Sequence, residues 1–112
     1  MQGNDDDKPK RIHELKTWPE PFQALVDGRK TFEYRKDDRG FAVGDELLLQ
    51  EWDPAKPKRF LGDYGGGTIH GDYTGRKAVA TITYRLGSEF GVPEGYCVLS
   101  VAGVRLLEGK DG

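Results

Sequence analysis

Apolar and polar positions alternate along most of this chain, and one short stretch repeats at helical spacing instead. From Arg11 to Thr17 the alternation predicts a short strand with Ile12, and Leu15 nearby, as its apolar positions. Pro19 and Pro21 then stand where a first helical turn needs no backbone donor. Phe22, Leu25 and Val26 follow at i, i+3 and i+4, which gives a single apolar stripe. Gly28 closes this predicted helix after about seven residues. Thr31–Lys36 alternates again, with Phe32 and Tyr34 on one face and Thr31, Glu33 and Arg35 on the other.

Gly44-Asp45 predicts a turn into a strand over Glu46–Trp52, where the run Leu47-Leu48-Leu49 implies burial on both sides. Lys77–Arg85 places Ala78, Ala80, Ile82 and Tyr84 opposite Val79, Thr81 and Thr83. Tyr96–Leu107 is a further β-rich run, bent at Gly103. Residues 53–75 show no periodicity and carry two prolines and a glycine cluster, so they predict a long loop. One short helix followed by four or more strands at meander spacing predicts an α+β domain. Its sheet is expected to be small, antiparallel and strongly curved or closed into a barrel.

Length and composition narrow the picture. The 112 residues suit one domain, expected over 11–107, between a disordered acidic tail at 1–10 and a flexible C-terminus at 108–112. No apolar run is long enough for a membrane span, and the polar start lacks a signal-peptide pattern. The lone Cys97 excludes an internal disulfide and a cysteine-cluster zinc site, and suits a reducing cytoplasm. His13 and His70 make no metal-ligand spacing, so no metal is expected. Of the 16 glycines, six fall between Gly62 and Gly75, which marks a loop, not a composition class. That cluster lacks Gly-Lys-Ser/Thr and any dinucleotide fingerprint, so no nucleotide cofactor is expected from it.

The net charge of −2 argues against nucleic acid until the charges are placed. Residues 28–39 hold Arg29, Lys30, Arg35, Lys36 and Arg39 against Glu33, Asp37 and Asp38. A compact basic edge on a neutral body still binds phosphates, with strong salt dependence. Within it, Lys30 offers a point charge, Arg35 a planar donor fork, and Glu33 an acceptor for amino groups. The plain alternative is a solvated strand face carrying an internal Glu–Arg pair, which is worth little. Trp18, Trp52, Tyr64 and Tyr73 are candidates for stacking on bases. Core packing is the expectation for the two tryptophans. Tyr73, beside Arg76 at the exit of the glycine-rich stretch, has two equal readings, closing over a ligand together with Arg76 or plain packing. His13 has a structural alternative, as lone histidines usually do.

The spacing Gly28-x-Lys30-x-x-Glu33-x-Arg35, followed by Gly44-Asp45, resembles the signature of the ASCH superfamily of PUA-like domains. The wider sequence is similar to one branch of it, the DUF3850 family of bacteria and phages. The similarity is carried by His13-Glu-Leu-Lys16, Gly28 to Arg35, Asp38-Arg39, Phe41, Gly44-Asp45, Glu51-Trp52-Asp53 and Tyr73-Thr-Gly-Arg76. The resemblance implies a small β-barrel with short flanking helices and a cleft for RNA or a nucleotide. Lys30, Glu33 and Arg35 would line that cleft, with His13 and Lys16 brought near by a first strand. It also implies a second reading, a hydrolase acting on a modified nucleoside or RNA, with Lys30 and Glu33 as catalytic candidates. The superfamily's amidohydrolases carry a nucleophilic Thr three residues after the motif Lys, where this chain has Glu33. A third reading is a phage-type module whose partner is a protein.

Overall fold

Trp18 occupies the helix N-cap and proline follows at once, so the first turn of α1 (Pro19–Asp27) loses no hydrogen bond to proline. Its end is set by Gly28, whose left-handed φ of 85° lets its N–H reach Leu25 O at 3.2 Å. Among the described residues, β1 (Ile12–Thr17), β2 (Phe32–Lys36), β3 (Glu46–Phe60), β4 (Gly67–Leu86) and β5 (Tyr96–Leu107) lie around it, with a 3-10 turn at Ser88–Phe90. The computed structural model describes residues 10–60 and 67–107, with backbone alone at 58–60 and 67–69. Residues 1–9 of the tail expected at 1–10, the expected C-terminus at 108–112, and Tyr64 with Gly62, Gly65 and Gly66 of the glycine cluster lie outside the described residues.

The chain is an α+β domain built on one five-stranded sheet in the order β1-β3-β4-β5-β2. The sheet is mixed, which corrects the expectation of an antiparallel one. β1 runs parallel to β3, with Leu15 beside Leu49, and the other three pairings are antiparallel. Strand spacing alone missed this because α1 and β2, lying between β1 and β3, supply the long crossover that a parallel pair requires. The sheet is not closed: β1 and β2 are its two edges. It curls far enough for arginine side chains to span them. Arg35 Nη2 on β2 donates to Lys16 O at 2.9 Å, and Arg39 Nη1 donates to Glu14 O at 2.8 Å.

The inner face presents Leu15, Leu47, Leu49, Ala80, Ile82 and Leu99 to the apolar stripe of α1. Burying Phe22 and Leu25 there contributes about 1.5–3 kcal/mol each. Leu48 is only half-buried, so β3 does not have the two covered faces its leucine run implied. On β1 the inward positions are His13, Leu15 and Thr17, while Ile12 is exposed. Parity decided this: Leu15 takes the core face, and Ile12, an odd number of residues away, cannot share it.

The long loop expected over 53–75 is instead strand on both sides of residues 61–66. Asp53 pairs with Asp72, and Pro57 to Phe60 pair with His70 to Gly67. A backbone ladder needs no apolar periodicity, so this arm left none in the sequence. Gly71 lies in β4 at an irregularity between two ladder pairs, and its place there has a packing reason. At φ 108° it lies under the Trp52 ring, where an added Cβ would collide with the indole. Irregularities re-aim two further groups. Between Tyr73 and Lys77 the strand carries extra residues opposite Glu51, which turns both Thr74 and Arg76 toward that carboxylate. A bulge at Thr83 sets Tyr84 opposite Ser100 and moves it to the outer face, away from Ile82.

Candidate functional site

On β2 the usual arrangement is inverted. Glu33 is 4% exposed, while its neighbours Phe32 and Tyr34 face outward. The charged side of this strand is therefore turned inward, and the solvated-face alternative does not describe it. Gly28 makes this possible by turning the chain directly out of α1, and Lys30 N then anchors on Ala24 O at 3.0 Å. The Lys30 Nζ donates to Glu33 Oε1 at 2.9 Å and to Phe32 O at 2.7 Å. From the other side, Arg35 Nη2 donates to Glu33 Oε2 at 3.2 Å.

One buried carboxylate thus holds two partly exposed cations, and the set carries one positive charge in excess. Breaking a buried pair by deleting one member is costly, so Glu33 needs at least one of the two. The three charges border a cleft of about 420 Å³, also lined by Thr17, Trp18 and Tyr34. Trp18 is 56% exposed there, so it forms a wall of the cleft and is not the core residue that sequence favoured. Its exposure follows from position, since an N-cap residue projects beyond the apolar stripe. Trp52 is half-buried and stands 6.4 Å from Trp18.

Of the residues singled out from sequence, Lys16, Lys30, Glu33 and Arg35 come together at this cleft. Lys16 contributes its carbonyl to Arg35, and its ammonium lies 4.3 Å from the Trp52 ring centre. His13, Tyr73 and Arg76 are not among the lining residues. Arg76 is engaged elsewhere: Nη1 pairs with the buried Glu51 at 3.5 Å, Nη2 donates to Gln23 at 3.0 Å, and the guanidinium covers the Phe22 ring. Tyr73 is exposed, opposite Trp52 in the ladder, and His70 is exposed as well.

His13 Nε2 donates to Asp45 Oδ2 at 2.9 Å, and its ring packs on Phe41 at 4.7 Å. Asp45 also accepts from Ala42 N at 3.1 Å and Arg11 N at 3.4 Å. Burial opposes its charge, but the His13 hydrogen bond and the two backbone donors outweigh that and hold its carboxyl below the usual range. Sequence reasoning missed Asp45 as a structural anchor, although its place after a turn glycine was visible. The Cys97 thiol is pushed up by burial and by the charge of Asp37, which makes it a poor nucleophile at neutral pH. Among the described residues, no three His, Cys, Asp or Glu side chains gather as a metal site. Nor is any described helix long and apolar enough to cross a membrane.

The fold and the site define a small α+β domain with a cationic cleft between the two edges of its curled sheet. A family model described as "Domain of unknown function (DUF3850)" matches residues 12–101, which takes in every strand edge of the cleft. The chain belongs to this family. It is also 36% identical over 73 residues to an uncharacterized 12.9 kDa protein in the GpA 3′ region of Escherichia phage P2. That alignment covers 65% of this chain, which spans about half (52%) of the relative's length.

Proposed function

We propose that this protein binds RNA or a nucleotide in the cleft bordered by Lys30, Glu33 and Arg35. The observation that carries the reading is the surplus of one positive charge, held half-buried by Glu33, beside the exposed ring of Trp18. Lys30 and Arg35 contact phosphate, and the spare N–H groups of Arg35 also suit a base edge. Glu33 fixes both cations and keeps lone pairs for an exocyclic amine. Trp18 supplies a face on which a base stacks. The resemblance of Gly28-x-Lys30-x-x-Glu33-x-Arg35 to the ASCH signature, and with it a PUA-like ancestry, supports the same reading. Engagement of both Glu33 oxygens by cations favours binding over hydrolysis, since the group is committed to holding charge.

The test is a panel of nucleosides, nucleotides and short RNAs, read for binding and for products at two salt concentrations. Binding is expected to weaken with salt at a logarithmic slope of about −1.4, from two phosphate contacts on a single strand. Lys30→Gln and Arg35→Gln each leave Glu33 one cation, so each is expected to fold and to lose affinity. Absence of binding at low salt sinks the proposal. Products that vanish in a Glu33→Gln variant would replace it with the hydrolase reading.

A further inference from the structure

The outer face of the sheet, opposite α1, holds an apolar surface that extends beyond the cleft. β2, β5 and β4 are adjacent there, and their register aligns Phe32 with Ser100 and Tyr84, and Tyr34 with Val98 and Leu86. Phe32, Tyr34, Tyr84 and Tyr96 are 44%, 50%, 53% and 40% exposed. Tyr34 and Tyr96 stack on each other at 5.4 Å, with planes 17° apart. No described element packs on these rings. Scattered exposed aromatics are ordinary, but four on three neighbouring strands form a patch, and such patches mark binding surfaces. The Thr83 bulge is what delivers Tyr84 to it.

Two features indicate the occupant. The patch is continuous with the cleft, because Phe32 and Tyr34 border both, and Lys30 Nζ lies 4.6 Å from the Phe32 ring centre at the join. At the other end of β2, Lys36 shares the outward face with Phe32 and Tyr34 and makes no ion pair among the described residues. A row of rings with a cation at each end matches a strand of bases joined by phosphates. Three of the four rings also carry hydroxyls, and Ser100 lies between Phe32 and Tyr84. Such groups pair with the 2′-hydroxyl that RNA has and DNA lacks.

We infer that the outer face of β2, β5 and β4 is a stacking platform for single-stranded RNA, which continues out of the cleft across Phe32, Tyr34, Tyr84 and Tyr96. This rests on the cleft reading above and extends it from a nucleotide to a strand. An aromatic sheet surface of this size accommodates about two or three bases.

The experiment compares the affinity of the full chain for a uridine mononucleotide, an oligouridylate octamer and the matching DNA octamer at low salt. Sedimentation is run in parallel to read association state. The RNA octamer is expected to bind at least about fivefold more tightly than the mononucleotide, the least that one added base stack provides. Tyr84→Ala is expected to reduce the ratio of octamer to mononucleotide affinity about fivefold or more. Because Tyr84 is exposed, an unchanged melting curve verifies the fold of that variant. Equal affinity for octamer and mononucleotide overturns the platform and leaves the cleft reading standing. Absence of binding to all three ligands overturns both. Equal affinity for RNA and DNA octamers overturns the assignment to RNA. A dimer that Tyr84→Ala converts to monomer overturns the platform in favour of an interface between copies of this chain.

Discussion

Asp45 and Glu33 are both buried carboxylates, and they serve opposite ends of β1. Asp45 sits beside His13 near its start, while Glu33 is tied through Arg35 to Lys16 and Thr17 at its finish. Their surroundings differ in one respect. Asp45 is met by the His13 ring, which packs on Phe41, and by two backbone N–H groups, and that set adds no cation facing the cleft. Glu33 is met by two cations whose remaining donors face a cleft. Burial of charge is common to both, so burial does not identify a binding site. Donors left over after the internal pairs are made are what set the cleft apart.

This contrast breaks or sharpens under substitution. The largest effect is expected from Asp45→Ala, which strands His13 and two backbone N–H groups. It should cost about 3 kcal/mol, a fall in Tm of roughly 10–20 °C for a domain of this size. The affinity of the folded protein for nucleotide should stay unchanged. Calorimetry with a parallel ligand titration checks both, and a loss of affinity there would erase the distinction between the two carboxylates. Lys30→Gln and Arg35→Gln should behave in the reverse way. Each is expected to lower affinity about tenfold, near 1.4 kcal/mol, with a Tm shift of only a few degrees.

A pH series separates the two regions more finely. The folded carboxyl of Asp45 titrates below the value of 3.8 that it has when free. Its contribution to stability is therefore fully present above that value and is lost as pH falls through the lower folded one. Melting curves from about pH 5 down to about pH 2 should show this loss in the natural chain and a flatter acid limb in Asp45→Asn. The smallest effect concerns Cys97. Its buried, raised thiol should react with an alkylating reagent roughly a hundredfold more slowly in the native protein than in denaturant, as mass spectrometry can follow. Fast labelling would show that the β2–β5 edge opens readily.

The parts of the fold legible from sequence were those written in side-chain period or punctuation. Phe22, Leu25 and Gly28 specify α1, and Ala78, Ala80 and Ile82 specify the inner face of β4. The β3–β4 arm was not legible because it is held by backbone pairing between residues with no shared pattern, such as Asp53 and Asp72. Nor was the direction of β1, which depends on where the chain goes between Trp18 and Asp45. At the site, Lys30, Glu33 and Arg35 were visible as a spacing, but the inward turn of Glu33 was not. Alternation sorts residues into two faces without saying which face is buried, and here the aromatic one is outside. Tyr84 was assigned to the wrong face for a related reason, since one bulged residue reverses parity beyond it.

The arginines that span the sheet edges have a bearing on colloidal behaviour. A free strand edge is a template to which another chain can add. On β1 the carbonyls of Glu14 and Lys16 are already taken by Arg39 and Arg35, so that template is partly blocked within the molecule. Arg35 does this while also bordering the cleft. Two variants of equal charge, Arg35→Gln and Lys30→Gln, therefore differ in shelf life: the first uncovers an edge carbonyl and should aggregate sooner on storage, and the second should not.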